Sequence, residues 1–128
     1  MLTPVSLLIL EHAQAAGYWG KERKMAPHMT HFRMRARTGE RQKVIDHFDL
    51  WQRGRRHQAA GFVRFVLCSN VNDPEEFMAY AMFADKKAYD ANSNHPDQHL
   101  WYETLRSYLV SDPEWFDGTV EVQRMGQV

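Results

Sequence analysis

The sequence predicts an α+β domain built on an antiparallel sheet, and three observations carry that prediction. Apolar residues alternate with polar ones in some segments and recur at helical spacing in others. The segments follow the order strand, helix, strand, strand, helix, strand, the split β-α-β arrangement of ferredoxin-like domains. The chain has 128 residues, 44% of them hydrophobic and 25% charged, which is the size and composition of one folded domain.

Residues 1–28 read as an N-terminal arm or short helix, and residues 29–128 as the domain itself. Met1 to Leu10 is apolar, but no Lys or Arg precedes the run and Glu11 and His12 interrupt it, so it does not read as a secretory signal. It is also too short to span a bilayer. From Met29 the chain alternates, with Phe32, Met34 and Ala36 on one side and His31, Arg33, Arg35 and Arg37 on the other: a first strand. Thr38-Gly39-Glu40 turns it into a helix whose apolar residues Val44, Ile45, Phe48 and Trp51 form one stripe. Gly54, flanked by Arg53, Arg55 and Arg56, suits the end of that helix, where positive charge complements exposed carbonyls.

A second strand is expected from Gly61 to Cys68, then a turn at Asn72-Asp73-Pro74 and a third strand over Glu76 to Phe83. Both faces of the third strand are apolar, Phe77, Ala79, Ala81 and Phe83 on one and Met78, Tyr80 and Met82 on the other, so both sides should be covered. Asp85 to Ala91 reads as a short helix. His95-Pro96 opens a longer one, which buries Trp101, Leu105, Tyr108 and Leu109 and stops at Asp112-Pro113. Thr119 to Val122 alternates again and is expected as the last strand, with Val120 and Val122 inward.

Charge and cysteine content narrow the function. Basic and acidic residues number 16 each, which excludes the broad basic footprint of sequence-independent nucleic-acid binding; neither nucleic acid nor membrane is expected as a partner. The neutral total hides an asymmetry, because residues 21–64 hold 12 basic and 4 acidic side chains while residues 65–128 hold 4 and 11. Surface pairing within one chain explains this, and so does self-association through complementary patches. The single cysteine, Cys68, allows no internal disulfide, in keeping with a reducing cytoplasm; in an apolar strand it reads as a buried, inert thiol.

Candidate site residues follow from residue type and position. Phe48, Trp51, Phe83 and Trp101 can line a pocket between helices and sheet, with the small Ala79 and Ala81 leaving space before the third strand; taken singly, each is also an ordinary core aromatic. His47 and Tyr80 are the candidates for polar contact or proton transfer there. His95, His99 and Glu103 share one helical face at a spacing that could hold a metal, but Arg106 lies on it too and the face is opposite the apolar stripe, so it reads as solvated surface and no metal is assigned. Arg53, Arg55 and Arg56 are too short a cluster to argue for RNA.

Over residues 29–125 the chain resembles the antibiotic biosynthesis monooxygenase-like family of dimeric α+β barrels. The likeness rests on the strand Phe77-Met78-Ala79-Tyr80-Ala81-Met82-Phe83, the following Ala84-Asp85-Lys86-Lys87-Ala88-Tyr89-Asp90-Ala91, the polar turn with His95, and the helix from Trp101 to Leu109. The resemblance implies a homodimer in which two sheets face each other. It also implies oxygenation of a small aromatic or quinol-like molecule without a cofactor, the substrate anion itself reducing O₂. The family's oxygenases carry a Trp near the end of the third strand with an Asn shortly before it; here Phe83 takes the Trp position and Ala79 to Phe83 contains no Asn. A haem-degrading branch uses an Asn on the first strand and a helical His, whereas this chain has His31-Phe32-Arg33-Met34 and, nearest the axial position, Tyr102. Three functional readings follow: a cofactor-independent monooxygenase, a non-catalytic dimer that binds a hydrophobic ligand or another protein, and haem binding or degradation.

Overall fold

The computed structural model describes residues 25–126, and the expected N-terminal arm falls almost wholly outside them. Four strands and three helices are laid out in the expected order: β1 (His28–Arg35), α1 (Arg41–Arg53), β2 (Phe62–Asn70), β3 (Asp73–Phe83), α2 (Lys86–Ser93), α3 (Pro96–Ser107) and β4 (Glu114–Thr119). A 3₁₀ turn, Arg55–Gln58, follows α1. The strands form one antiparallel sheet in the order β2-β3-β1-β4, which is the ferredoxin-like arrangement.

Register decides which side chains meet. Phe32 of β1 lies opposite Ala79 of β3 and Trp115 of β4, and Thr30 lies opposite Ala81 and Asp117. Those residues share the face on which the helices pack. Val44 and Phe48 of α1 and Leu105 of α3 are buried there against Phe32, Met34, Phe77 and Ala79, and a second cluster gathers Trp51, Ala59 and Phe83. The stripe read from the sequence of α1 is therefore its buried face.

The other face has no helix upon it among the described residues. It presents Arg64, Val66 and Cys68 from β2, Met78, Tyr80 and Met82 from β3, His31, Arg33 and Arg35 from β1, and Phe116 from β4. Val66, Met78 and Phe116 are 40%, 37% and 70% exposed, although Met82 is buried. The two-sided apolar character of β3 is real, but the described residues of one chain put helices on only one side. Cys68 is exposed on this open face, not buried as its apolar neighbours suggested; strand alternation turns it away from the core.

Two strand starts differ from expectation by three residues or more. β3 begins at Asp73, and β4 runs from Glu114 to Thr119 instead of Thr119 to Val122. The adjacent aromatics Trp115 and Phe116 pair with Phe32 and His31, and that pairing outweighs the poor strand propensity of Asp117 and Gly118. Val120 is buried and its N–H donates to the Pro27 carbonyl, whereas Val122 is half exposed.

The helix starts are fixed locally. The Asp85 carboxylate accepts from the Ala88 N–H at 2.8 Å and caps α2. The His95 ring accepts from the Asp97 N–H at 3.0 Å and caps α3, with Pro96 following in the first helical position. Gly61, at φ +80°, lets the chain entering β2 pass close to α2: a Cβ at this position would stand 2.6 Å from that of Ala88.

Candidate active site

A cavity of about 350 Å³ lies between the helices and the covered face of the sheet. Phe48 and Trp51 reach it from α1, Phe83 from β3 and Trp101 from α3, so one wall system contains all four aromatics singled out from the sequence. Phe48 meets Trp101 edge to face at 5.1 Å, and Trp51 packs on Phe62 at 4.7 Å. Both indole N–H groups are engaged elsewhere, that of Trp101 with the His47 carbonyl at 3.1 Å and that of Trp51 with Gln98 Oε1 at 2.7 Å. The tryptophans are thereby left to present ring surface.

The two residues proposed for proton transfer stand outside the cavity. Tyr80 is on the open face of the sheet, because in β3 it alternates with Ala79 and Ala81, which face the helices. His47 sits behind Trp101, its ring stacked on the indole at 4.8 Å and its Nε2 bonded to the Trp101 carbonyl at 2.7 Å. Since a carbonyl only accepts, Nε2 carries the proton. Burial lowers the imidazole's pKa and that hydrogen bond opposes the shift.

At the sheet end of the cavity the structure assembles polar groups that the sequence reading passed over. Thr30 and Tyr89 line it. The Tyr89 hydroxyl donates to Asp117 Oδ1 at 3.1 Å, and its ring stacks on His28 at 4.3 Å. Burial raises the Tyr89 pKa, so the phenol is protonated at neutral pH. Thr30 and His28 are both buried; the Thr30 hydroxyl, close to that of Tyr89, and His28 Nε2, 3.9 Å from Asp117, form no well-aligned hydrogen bond. Carrying the β1 alternation two steps back from Phe32 would have placed Thr30 and His28 on this inner face.

A second polar group in the wall, one helical turn along α2 from Tyr89, is organised by Arg55, which is buried, not a surface member of an arginine cluster. Its guanidinium donates to Gln58 Oε1 at 2.6 Å, to Gln98 Oε1 at 3.4 Å and to Asn92 Oδ1, and none of these partners is a carboxylate. Burying a guanidinium costs several kcal/mol. Hydrogen bonds to a charged group contribute about 1.5–3 kcal/mol each, enough in sum to keep Arg55 charged although burial lowers its pKa. Asn92 and Gln98 both line the cavity.

The outer wall includes Tyr102, Trp115 and His99. His99 pairs with Glu103 at 2.8 Å on the exposed side of α3, while His95 is occupied in capping. Among the described residues no three His, Cys, Asp or Glu side chains are grouped as a metal site would require.

Residues 27–104 match the sequence profile of the family described as antibiotic biosynthesis monooxygenase. The chain belongs to this family. Its fold is also that of SnoaB, a cofactor-independent oxygenase from Streptomyces nogalater, at a TM-score of 0.66 and 17% identity over 79% of this chain and 96% of that one. A conserved protein from Methanosarcina mazei superposes at 0.67 with 10% identity, covering 76% of this chain and 95% of its own. A protein of unknown function from Nitrosomonas europaea superposes at 0.65 with 15% identity, covering 82% and 99%. No curated protein sequence matches the chain. Likeness at these identities establishes a shared scaffold, and the chemistry of this family member has to be argued from its own cavity.

Proposed function

We propose that this protein is a cofactor-independent monooxygenase of a flat, electron-rich aromatic of the quinol or anthrol kind, working as a homodimer. The observation that carries the reading is the aromatic-walled cavity with a phenol–carboxylate pair, Tyr89 and Asp117, at one end. Its volume lies within the range of small-molecule sites, roughly 300–1,000 Å³. Phe48, Trp51, Phe83 and Trp101 hold the ring system of the substrate and exclude water. As the Tyr89 hydroxyl takes a proton from the substrate hydroxyl it passes its own to Asp117, whose half-exposed carboxylate connects to solvent. The substrate anion left in the cavity then reduces O₂. In this scheme His47 positions Trp101, and Tyr80 belongs to the face where the second protomer packs, a face whose exposed Val66, Met78 and Phe116 favour such a partner.

The test is oxygen consumption by the purified protein with an anthrol or quinol substrate, without added metal or flavin. Uptake above the spontaneous rate is expected, and Tyr89→Phe should lower kcat about a hundredfold. Titration with haemin should leave the Soret band of free haemin unshifted. The second reading, a dimer that binds a hydrophobic ligand without turning it over, is favoured by Phe83 in place of the family's Trp. It prevails if the aromatic compound quenches Trp fluorescence saturably while oxygen uptake stays at background.

A further inference from the structure

The amide oxygens of Asn92 and Gln98 both point at donors. Asn92 Oδ1 accepts from Arg55, and Gln98 Oε1 accepts from Arg55 and from the Trp51 indole N–H. An amide has one oxygen and one NH₂, and donors on one side fix which way it faces. Asn92 Nδ2 and Gln98 Nε2 are therefore turned away from Arg55, on two side chains that line the cavity. Asn92 is itself 8% exposed, and the charge behind both amides is a buried guanidinium whose hydrogen bonds are all to neutral oxygens. Positive potential and fixed N–H donors in a low-dielectric wall are what a negatively charged oxygen needs.

We propose that Asn92 and Gln98 form an oxyanion subsite, oriented and polarised by Arg55, on the cavity wall built by α2 and α3. The inference rests on the aromatic-binding reading above and deepens it, because it states the substrate class: a fused-ring aromatic bearing an ionised oxygen, phenolate, enolate or carboxylate, directed at α2 and α3. Arg55 is a positioning residue in this arrangement. Asn92 and Gln98 make the contact.

The experiment compares two probes of one ring system, 2-naphthoate and 2-methylnaphthalene, by quenching of tryptophan fluorescence in the wild type and in the isosteric variants Asn92→Asp and Gln98→Glu. Each variant gives Arg55 a carboxylate partner, which protects the fold, and replaces a cavity-facing donor with an anionic acceptor. Wild type should bind 2-naphthoate about tenfold or more tightly than 2-methylnaphthalene. In each variant that preference should vanish or reverse while 2-methylnaphthalene affinity stays within about twofold. Equal binding of both probes by the wild type, or a preference that survives both substitutions, overturns the subsite and leaves the aromatic cavity standing. Failure of both probes to bind at all overturns the cavity reading and the subsite with it. Arg55→Met, examined at a temperature where circular dichroism shows it folded, should weaken 2-naphthoate alone, and loss of both probes there would mark Arg55 as merely structural.

Discussion

At the scale of single residues, His47 links burial to pH. Its folded pKa lies below the ordinary 6.5 because burial penalises the imidazolium. The unfolded chain therefore holds the proton more tightly, and the stability that His47 contributes is intact above pH 6.5 and lost as pH falls below it toward the depressed folded value. Urea midpoints should decline from about pH 7 to about pH 5 more steeply in the wild type than in His47→Gln, which keeps a donor for the Trp101 carbonyl without titrating; parallel declines would refute the assignment. The residue scale is also where sequence reading reached least far. Aromatic positions at core spacing were legible, because Phe48, Trp51, Phe83 and Trp101 converge through ordinary amphipathic packing. Polar partners were not, since Tyr89 meets Asp117 across 28 residues and Arg55 meets Asn92 across 37, and nothing in local spacing encodes such pairs.

Among the elements, the order and type of the four strands and three α-helices described were legible from periodicity, and the misplaced one, β4, shows what periodicity lacks. Trp115 and Phe116 are consecutive aromatics, so they give no alternating signal; they become a strand because β1 offers an edge with Phe32 and His31 in register. The contact between the β2 entrance and α2 makes a sharper prediction. Gly61→Ala forces a side chain into left-handed backbone and into Ala88, costs of about 1–2 kcal/mol and about 1–3 kcal/mol. Thermal melting should fall by roughly 10 °C or more, and by little if the turn can flatten. Because α2 carries Tyr89 and Asn92, the variant should lose affinity for aromatic ligands even where it remains folded.

For the whole molecule the open sheet face is decisive. Val66→Lys leaves the isolated chain nearly unchanged, since Val66 is already 40% exposed, but places a charge inside the sheet-to-sheet interface of the proposed dimer. Sedimentation equilibrium should show the dissociation constant rising about a hundredfold or more, and a wild type that is monomeric at micromolar concentration would remove the dimer from the scheme. Arg33 and Arg35 stand on that face with Glu76 and Glu114, so part of the association should weaken with salt.

Three successive residues of β4 divide these tasks: Trp115 walls the cavity, Phe116 faces outward, and Asp117 accepts from Tyr89. Among the described strands β1 alone pairs with this edge strand, and a slip of one position would exchange the faces of all three. The segment between α3 and β4 can therefore vary in composition far more readily than in length. Over evolutionary time, insertions and deletions around Asp112 and Pro113 should be purged more strongly than substitutions, because a frame error of one residue would undo the cavity together with the proposed interface and proton path.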